Sequence, residues 1–282
     1  MLHEFSYHRP DSLDAALTLL STYGADATAF SGGTDLLVNV RAGLMRPRHV
    51  VDLKGVDKLH ELSWSESNGL SIGACVTVNE LVDHPVVRER FMILSIAGAE
   101  LATFQLRNRA TVVGNVVTAS PCGDMAGPLL VLGGEVVLAS SSGERSVPLG
   151  EFITGVKKTI IRPEEIVVRI VVPNRWAGAA GGYEKLKRIK GHDLGVVSVT
   201  LIKHEKGVRA AVGSAAPTPV LIADMGADVA YEAVQAKARS AINPIDDVRA
   251  TAEYRSFMVN AFIKRLMTSI PAPGSQPEEA SA

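Results

Sequence analysis
Between Pro10 and Gly24, Leu13, Leu17 and Leu20 recur at helical spacing, with Ser12 or Asp11 placed to cap the first turn and Gly24 to close the last. The run 27–30 then predicts a short strand, 35–42 a helix and 49–53 a second strand, a compact βαβ unit complete by about residue 57. From Leu59 the texture shifts to strands set between polar turns: 69–74, the apolar run 112–118, 135–139 and 166–172. Helices predicted over 78–83 and 85–101 interrupt them. The small-residue stretch 175–182 reads as a linker. Beyond it, 183–189, 196–204 and 208–215 predict three strands, the last two joined as a hairpin at Glu205-Lys206-Gly207. Alternation in Val197-Ser198-Val199-Thr200-Leu201 gives that sheet one buried face, and helices follow over 229–241 and 253–267.

The pattern is that of an α+β protein. It divides into a domain over 1–176, with subdomains of about 1–57 and 58–176, and a smaller C-terminal α+β domain over 177–270. The latter is expected to be a three-stranded antiparallel sheet with helices. The segment 271–282, rich in Pro, Ser, Glu and Ala, reads as a disordered tail.

Composition narrows the functions. A net charge of −1 over 282 residues argues against nucleic acid as the main partner, because phosphate-backbone binding needs a clustered basic surface. Cys75 and Cys122 have no metal-ligand spacing, so no iron–sulfur cluster or structural zinc is expected from this chain's thiols. No apolar run approaches the ~20 residues of a membrane span, and the N-terminus has no secretory pattern, which makes the cytoplasm the expected compartment.

Two polar glycine turns carry the candidate chemistry: Ser31-Gly32-Gly33-Thr34-Asp35-Leu36-Leu37 and Thr111-Val112-Val113-Gly114-Asn115. Neither contains a lysine, but backbone N–H groups and hydroxyls in such turns suit a phosphate, and glycine allows close approach. Either turn alone is also compatible with an ordinary strand-to-helix connection, with Asp35 as a cap. After the second turn, Thr118, Ser120 and Asp124 add hydrogen-bonding groups within an apolar stretch, where they need partners, either a ligand or one another. His192-Asp193 invites a catalytic dyad, but neighbours on an extended chain point to opposite sides. Cys75 and Cys122 read as packing residues.

In order and spacing, these turns together with Ile72-Gly73-Ala74-Cys75-Val76-Thr77, Arg107-Asn108-Arg109-Ala110, Ala119-Ser120-Pro121, Pro163-Glu164-Glu165-Ile166, Tyr183-Glu184-Lys185-Leu186-Lys187-Arg188 and Asp246-Asp247-Val248-Arg249-Ala250-Thr251-Ala252-Glu253-Tyr254-Arg255 cover nearly the whole chain. The combination resembles the FAD-binding medium subunit of the xanthine dehydrogenase and carbon monoxide dehydrogenase family of molybdenum hydroxylases. The resemblance implies a two-subdomain FAD-binding domain of the para-cresol methylhydroxylase type, with a smaller C-terminal domain. It implies that Thr28, Ala29, Phe30, Ser31, Gly32, Gly33, Thr34, Asp35 and Leu36 wrap the pyrophosphate and ribose from one side. Thr111, Gly114, Asn115 and Asp124 would hold the other side, with Val117 beside the flavin, further contacts from Leu101, Ala102 and Val167, and Lys185 near the flavin ring. No catalytic side chain and no metal ligand are expected in this chain.

The resemblance further implies partners: a small subunit with two [2Fe-2S] clusters and a large molybdopterin subunit, assembled as a dimer of heterotrimers. The expected role is to take electrons from the clusters and pass them to an external acceptor. Gly32-Gly33-Thr34-Asp35 stands where carbon monoxide dehydrogenases carry Gly-Gly-His-Ser, which tilts the expectation toward a heteroaromatic, purine or aldehyde hydroxylase. Two alternatives remain at this point: a self-contained FAD oxidase of the same flavin fold, and a non-catalytic nucleotide-binding assembly factor.

Overall fold
The structure, a computed structural model, describes residues 3–189 and 191–271. Most of the expected tail, 272–282, lies outside the described residues. The chain forms two compact units, each assembled from separated segments. The first comprises residues up to Leu81, Thr103–Ser120 and Gly133–Asn174; the second Val82–Ala102, Pro121–Leu132 and residues from Arg175 onward.

In the first unit, Ser12 caps the helix Leu13–Tyr23 by accepting from the Ala15 N–H at 3.3 Å. Gly24 ends it with φ of 50°, and Ala16, Leu17 and Leu20 form the buried face. The strand Ala27–Phe30 pairs in parallel with His49–Asp52, the crossover between them carrying the helix Leu36–Arg41. Ser6–His8, not foreseen in the sequence, adds a third parallel strand. A five-stranded antiparallel sheet follows, in the order Leu62–Ser65, Gly69–Gly73, Ile166–Val172, Glu135–Ser140, Gly143–Pro148. Its outer strands, Leu62–Ser65 and Gly143–Pro148, are partly polar, which hid them in the sequence.

The run expected as a strand over 112–118 is instead the helix Val112–Val117. Valine content favours extended backbone, but the Thr111 hydroxyl accepts from the Gly114 N–H at 3.0 Å and starts a helical turn. Val112, Val113 and Val116 then share the buried side, and this helix packs on the strand Ile166–Val172. Tertiary burial outweighs β-propensity here.

The second unit is built on a four-stranded antiparallel sheet, Ala180–Leu186, Val197–His204, Gly207–Gly213 and Val220–Met225, which corrects the three strands expected. The last strand was missed because it follows a turn-rich stretch, Ser214-Ala215-Ala216-Pro217-Thr218-Pro219, that reads as the end of the sheet. Ala180, Gly181 and Gly182, read as linker, already pair with Lys203, Ile202 and Leu201. The hairpin turns at Glu205 and Lys206, with Gly207 at φ of +134°; a Cβ there would lie 2.2 Å from the Met225 carbonyl oxygen.

The helices Tyr231–Ala241 and Ala252–Ser269 bury Val197, Val199 and Leu201 from one side of this sheet. The helices Met92–Ala99 and Ala126–Val131 also pack on the sheet, and Thr200 and Ile202, the residues alternating with that core set, are buried as well. Both faces are therefore covered. The single helix expected over 85–101 is two, Pro85–Arg90 and Met92–Ala99, broken at Phe91 with φ of −134°. Among the described residues, no helix is long and apolar enough to cross a membrane.

Candidate functional site
The first unit brings the two glycine turns together across 80 residues of sequence: Ser31 Oγ and Thr111 Oγ1 lie 3.0 Å apart in a hydrogen bond. Thr111 is buried, and its oxygen serves this contact and the helix cap at once. Glycine is required on both sides. A Cβ on Gly32 would sit 2.1 Å from the Arg109 carbonyl oxygen, and one on Gly114 2.6 Å from Thr111 Oγ1 and 3.8 Å from Ser31 Oγ. Gly33 adopts φ of +73°, and a Cβ there would meet the Phe30 ring at 2.2 Å.

Around this junction, Thr28, Ala29 and Phe30 lie on the strand Ala27–Phe30, half-buried, and run directly into the turn of Ser31, Gly32, Gly33 and Thr34. Asp35 is the N-terminal flanking residue of the helix Leu36–Arg41 but makes no capping bond; its carboxylate accepts from Asn39 Nδ2 at 3.1 Å and pairs with Lys157 at 3.4 Å. On the second turn, helical geometry sorts the residues by face. Val112, Val113 and Val116 are buried, whereas Gly114, Asn115 and Val117 are half-buried, and Gly114 lies beside Ser31. Val167 is buried on the strand beneath that helix, at a bulge between Val167 and Arg169.

One cation next to the first turn escaped the sequence reading. Lys54 Nζ donates to the Ser31 carbonyl oxygen at 2.9 Å and to Asp52 Oδ1 at 2.6 Å, and lies 3.8 Å above the Phe30 ring. Burial works to raise the Asp52 carboxyl, but bonds from Lys54 and Tyr7 outweigh it and hold the group below its usual range. Phe30 and Asp52 are register partners on neighbouring strands, which places Lys54 at the mouth of the turn. Only strand pairing reveals this.

In the second unit, Leu101 is buried and Ala102 half-buried, the latter at φ of 47°. Positive φ at a non-glycine residue is uncommon and marks a locally constrained backbone. Asp124 and Lys185 form a buried ion pair, Nζ to Oδ1 at 2.8 Å, with Oδ2 at 3.0 Å from the same ammonium. Tyr183 donates its hydroxyl to Asp124 Oδ1 at 2.6 Å. Burial pushes the Asp124 carboxyl up despite both partners, and burial together with the Asp124 charge pushes the Tyr183 phenol well above its ordinary value.

Sequence reasoning missed Tyr183 as a site residue. The signal was present: positions two apart on one strand share a face, so Tyr183 accompanies Lys185. Asp193 pairs with Arg188 at 3.0 Å rather than with the exposed His192, and its carboxyl is held far below its usual range by that guanidinium. The Asp246-to-Arg255 motif forms a separate clamp. Buried Arg255 donates to the carbonyls of Val196 and Ser214 and pairs with Asp247 at 2.6 Å, while Arg249 binds Asp247 and lies 3.0 Å from Cys122 Sγ. Cys75 is buried, and its thiol is pushed up to about 12 by that burial, an inert packing residue.

Comparison with known proteins gives concordant findings. A family described as the FAD binding domain in molybdopterin dehydrogenase matches residues 3–175. The chain is 31% identical over 278 residues to the carbon monoxide dehydrogenase medium chain of Hydrogenophaga pseudoflava, covering 94% of this chain and 96% of the relative. It is 28% identical over 281 residues to a putative xanthine dehydrogenase FAD-binding subunit of Escherichia coli K12, covering 95% and 96%. Among solved structures, it is similar to a chain of the reconstituted CO dehydrogenase from Oligotropha carboxidovorans, with a TM-score of 0.89 at 27% identity, covering 96% of this chain and 98% of that one. It is also similar to a chain of quinoline 2-oxidoreductase from Pseudomonas putida 86, with a TM-score of 0.87 at 26% identity and the same coverage.

Proposed function
The chain belongs to the family of FAD binding domains of molybdopterin dehydrogenases, and from that premise we propose how its residues hold and use the cofactor. It is the electron-transferring FAD subunit of a molybdenum hydroxylase, and thus an oxidoreductase subunit. When bound, FAD supplies the ability to accept electrons one at a time and release them in pairs.

The residues fit this group. In the first unit, Ser31, Gly32, Gly33 and Thr34 offer backbone N–H groups and hydroxyls to the pyrophosphate, and Gly114 and Asn115 complete that donor set from the neighbouring helix. The observation that carries the reading is the Ser31 to Thr111 bond of 3.0 Å between two turns at positions where a Cβ would collide. Glycine at both positions lets the two segments close on each other, so that the donors of both turns lie at one junction, as an anion cradle needs. Val117 and Val167 provide apolar surface on the same unit. In the second unit, Leu101 and Ala102 offer further contacts, and Lys185, held by Asp124, provides a cation whose charge favours electron uptake by the flavin.

The finer reading extends to architecture and assembly. Residues 1–176 are assigned as a para-cresol methylhydroxylase-type FAD domain and 177–270 as the C-terminal domain; the family match over 3–175 supports the first. The partners are an iron–sulfur subunit and a molybdopterin subunit in a dimer of heterotrimers. The similarity to a medium chain of carbon monoxide dehydrogenase supports a multi-subunit assembly.

The experiment is the visible spectrum and acid-releasable flavin of the purified chain. Stoichiometric FAD is expected, and its absence after mild preparation overturns the cofactor reading. Gly114→Val is expected to lower FAD content several-fold more than His192→Ala, because Gly114 lies at the crowded junction and His192 is exposed. Equal retention in the two variants contradicts the site.

A further inference from the structure
We propose that Tyr183 is a positioning residue for the flavin's electrostatics: its hydroxyl fixes Asp124 against Lys185 and so sets how much of the Lys185 charge the bound cofactor feels. The inference deepens the FAD reading and rests on it.

The geometry is specific. Tyr183 and Lys185 lie on one face of the strand Ala180–Leu186, and both reach Asp124 Oδ1, at 2.6 and 2.8 Å. Lys185 is 3% exposed along its side chain and Asp124 9%, so the pair is shielded from solvent and its charges act at low effective dielectric. The lysine stem is packed as well, since a Cβ at Gly195 would contact its Cε at 3.4 Å. The Lys185 ammonium also lies 3.4 Å from the Glu100 carbonyl oxygen.

The groups acting on Asp124 are Lys185 and Tyr183 from the strand and Glu100 beside the end of the helix Met92–Ala99. Glu100 is itself paired with Lys187 at 2.9 Å, and Arg249 reaches Cys122 two residues before Asp124. Glu100 therefore brings its own counter-charge. The balance at Asp124 is set chiefly by burial, which favours the neutral acid, against the Lys185 charge and two bonds, from Lys185 and Tyr183, that favour the carboxylate. Tyr183 supplies one of those two.

Removing that hydroxyl moves the balance in a known direction. A carboxylate that loses a donor takes up a proton at higher pH. Once Asp124 is neutral, the Lys185 charge is uncompensated, and a nearby positive charge favours the reduced flavin.

The test is a spectroelectrochemical titration of the full FAD-loaded chain over a pH series. Tyr183→Phe is expected to keep its FAD and to show a more positive midpoint potential than wild type, the difference widening as pH falls. Lys185→Met is expected to lower the potential, and in the double variant the Tyr183→Phe shift should vanish. An unnatural 3-fluorotyrosine at 183, isosteric but a stronger donor, should shift the potential the opposite way. Wild-type potentials in both the phenylalanine and fluorotyrosine variants, a Tyr183→Phe shift that persists without Lys185, or loss of FAD on Tyr183→Phe each overturn the proposal. Failure of the wild-type chain to hold FAD is a different result and removes the function reading itself.

Discussion
Asp247 shows how one side chain can hold a region together. It accepts from Arg249 and from Arg255, and Arg255 is 1% exposed while also donating to the Val196 and Ser214 carbonyls. A buried guanidinium without its carboxylate is costly, so Asp247→Asn is expected to destabilise the second unit by about 3–5 kcal/mol in urea titrations. The pH dependence has a definite sign. Bonds from Arg249 outweigh burial and hold the Asp247 carboxyl below its ordinary value of 3.8, so its contribution is complete above that pH and is lost as the solution is acidified below it. Wild type should lose stability over that acid range more steeply than Asp247→Asn. Parallel acid profiles would show that Asp247 carries no such linkage.

Two helix caps separate a structural role from a cofactor role. Ser12 caps Leu13–Tyr23 and Thr111 caps Val112–Val117, and each hydroxyl accepts from the N–H three residues on. Replacing either by alanine should cost about 1 kcal/mol of stability through the cap. Thr111→Ala should in addition lower FAD content, because it also removes the tie to Ser31, whereas Ser12→Ala should leave FAD content unchanged. Flavin release and chemical denaturation measured on both variants decide this. If Ser12→Ala releases as much flavin as Thr111→Ala, the loss reflects general destabilisation and not the junction.

For the whole molecule, a cofactor gripped by the folded state and not by the unfolded chain must stabilise the fold by mass action, by about 2.7 kcal/mol at a free FAD concentration one hundred times its Kd. The melting temperature of the chain is therefore expected to rise with added FAD, and that of Gly114→Val to rise much less. A melting temperature indifferent to FAD in wild type would count against cofactor binding.

Much of this protein was legible in its sequence because the decisive signals were local. The cap at Ser12, the stop at Gly24, the strands 27–30 and 49–53 and the hairpin at Glu205-Lys206 each depend on residues within a turn or two of one another. The two glycine turns were legible for the same reason, since a backbone that must approach something closely can only be glycine. What tertiary structure alone decided were pairings made over distance. The 112–117 run is helical because Val112, Val113 and Val116 are buried on the sheet in that form, Ser31 and Thr111 meet because two segments 80 residues apart converge, and Tyr183 and Lys185 find Asp124 because their strand lies against the chain entering the helix Ala126–Val131. Sequence pattern encodes which face a residue turns inward; the partner it meets there depends on closure of long segments, which no local pattern contains.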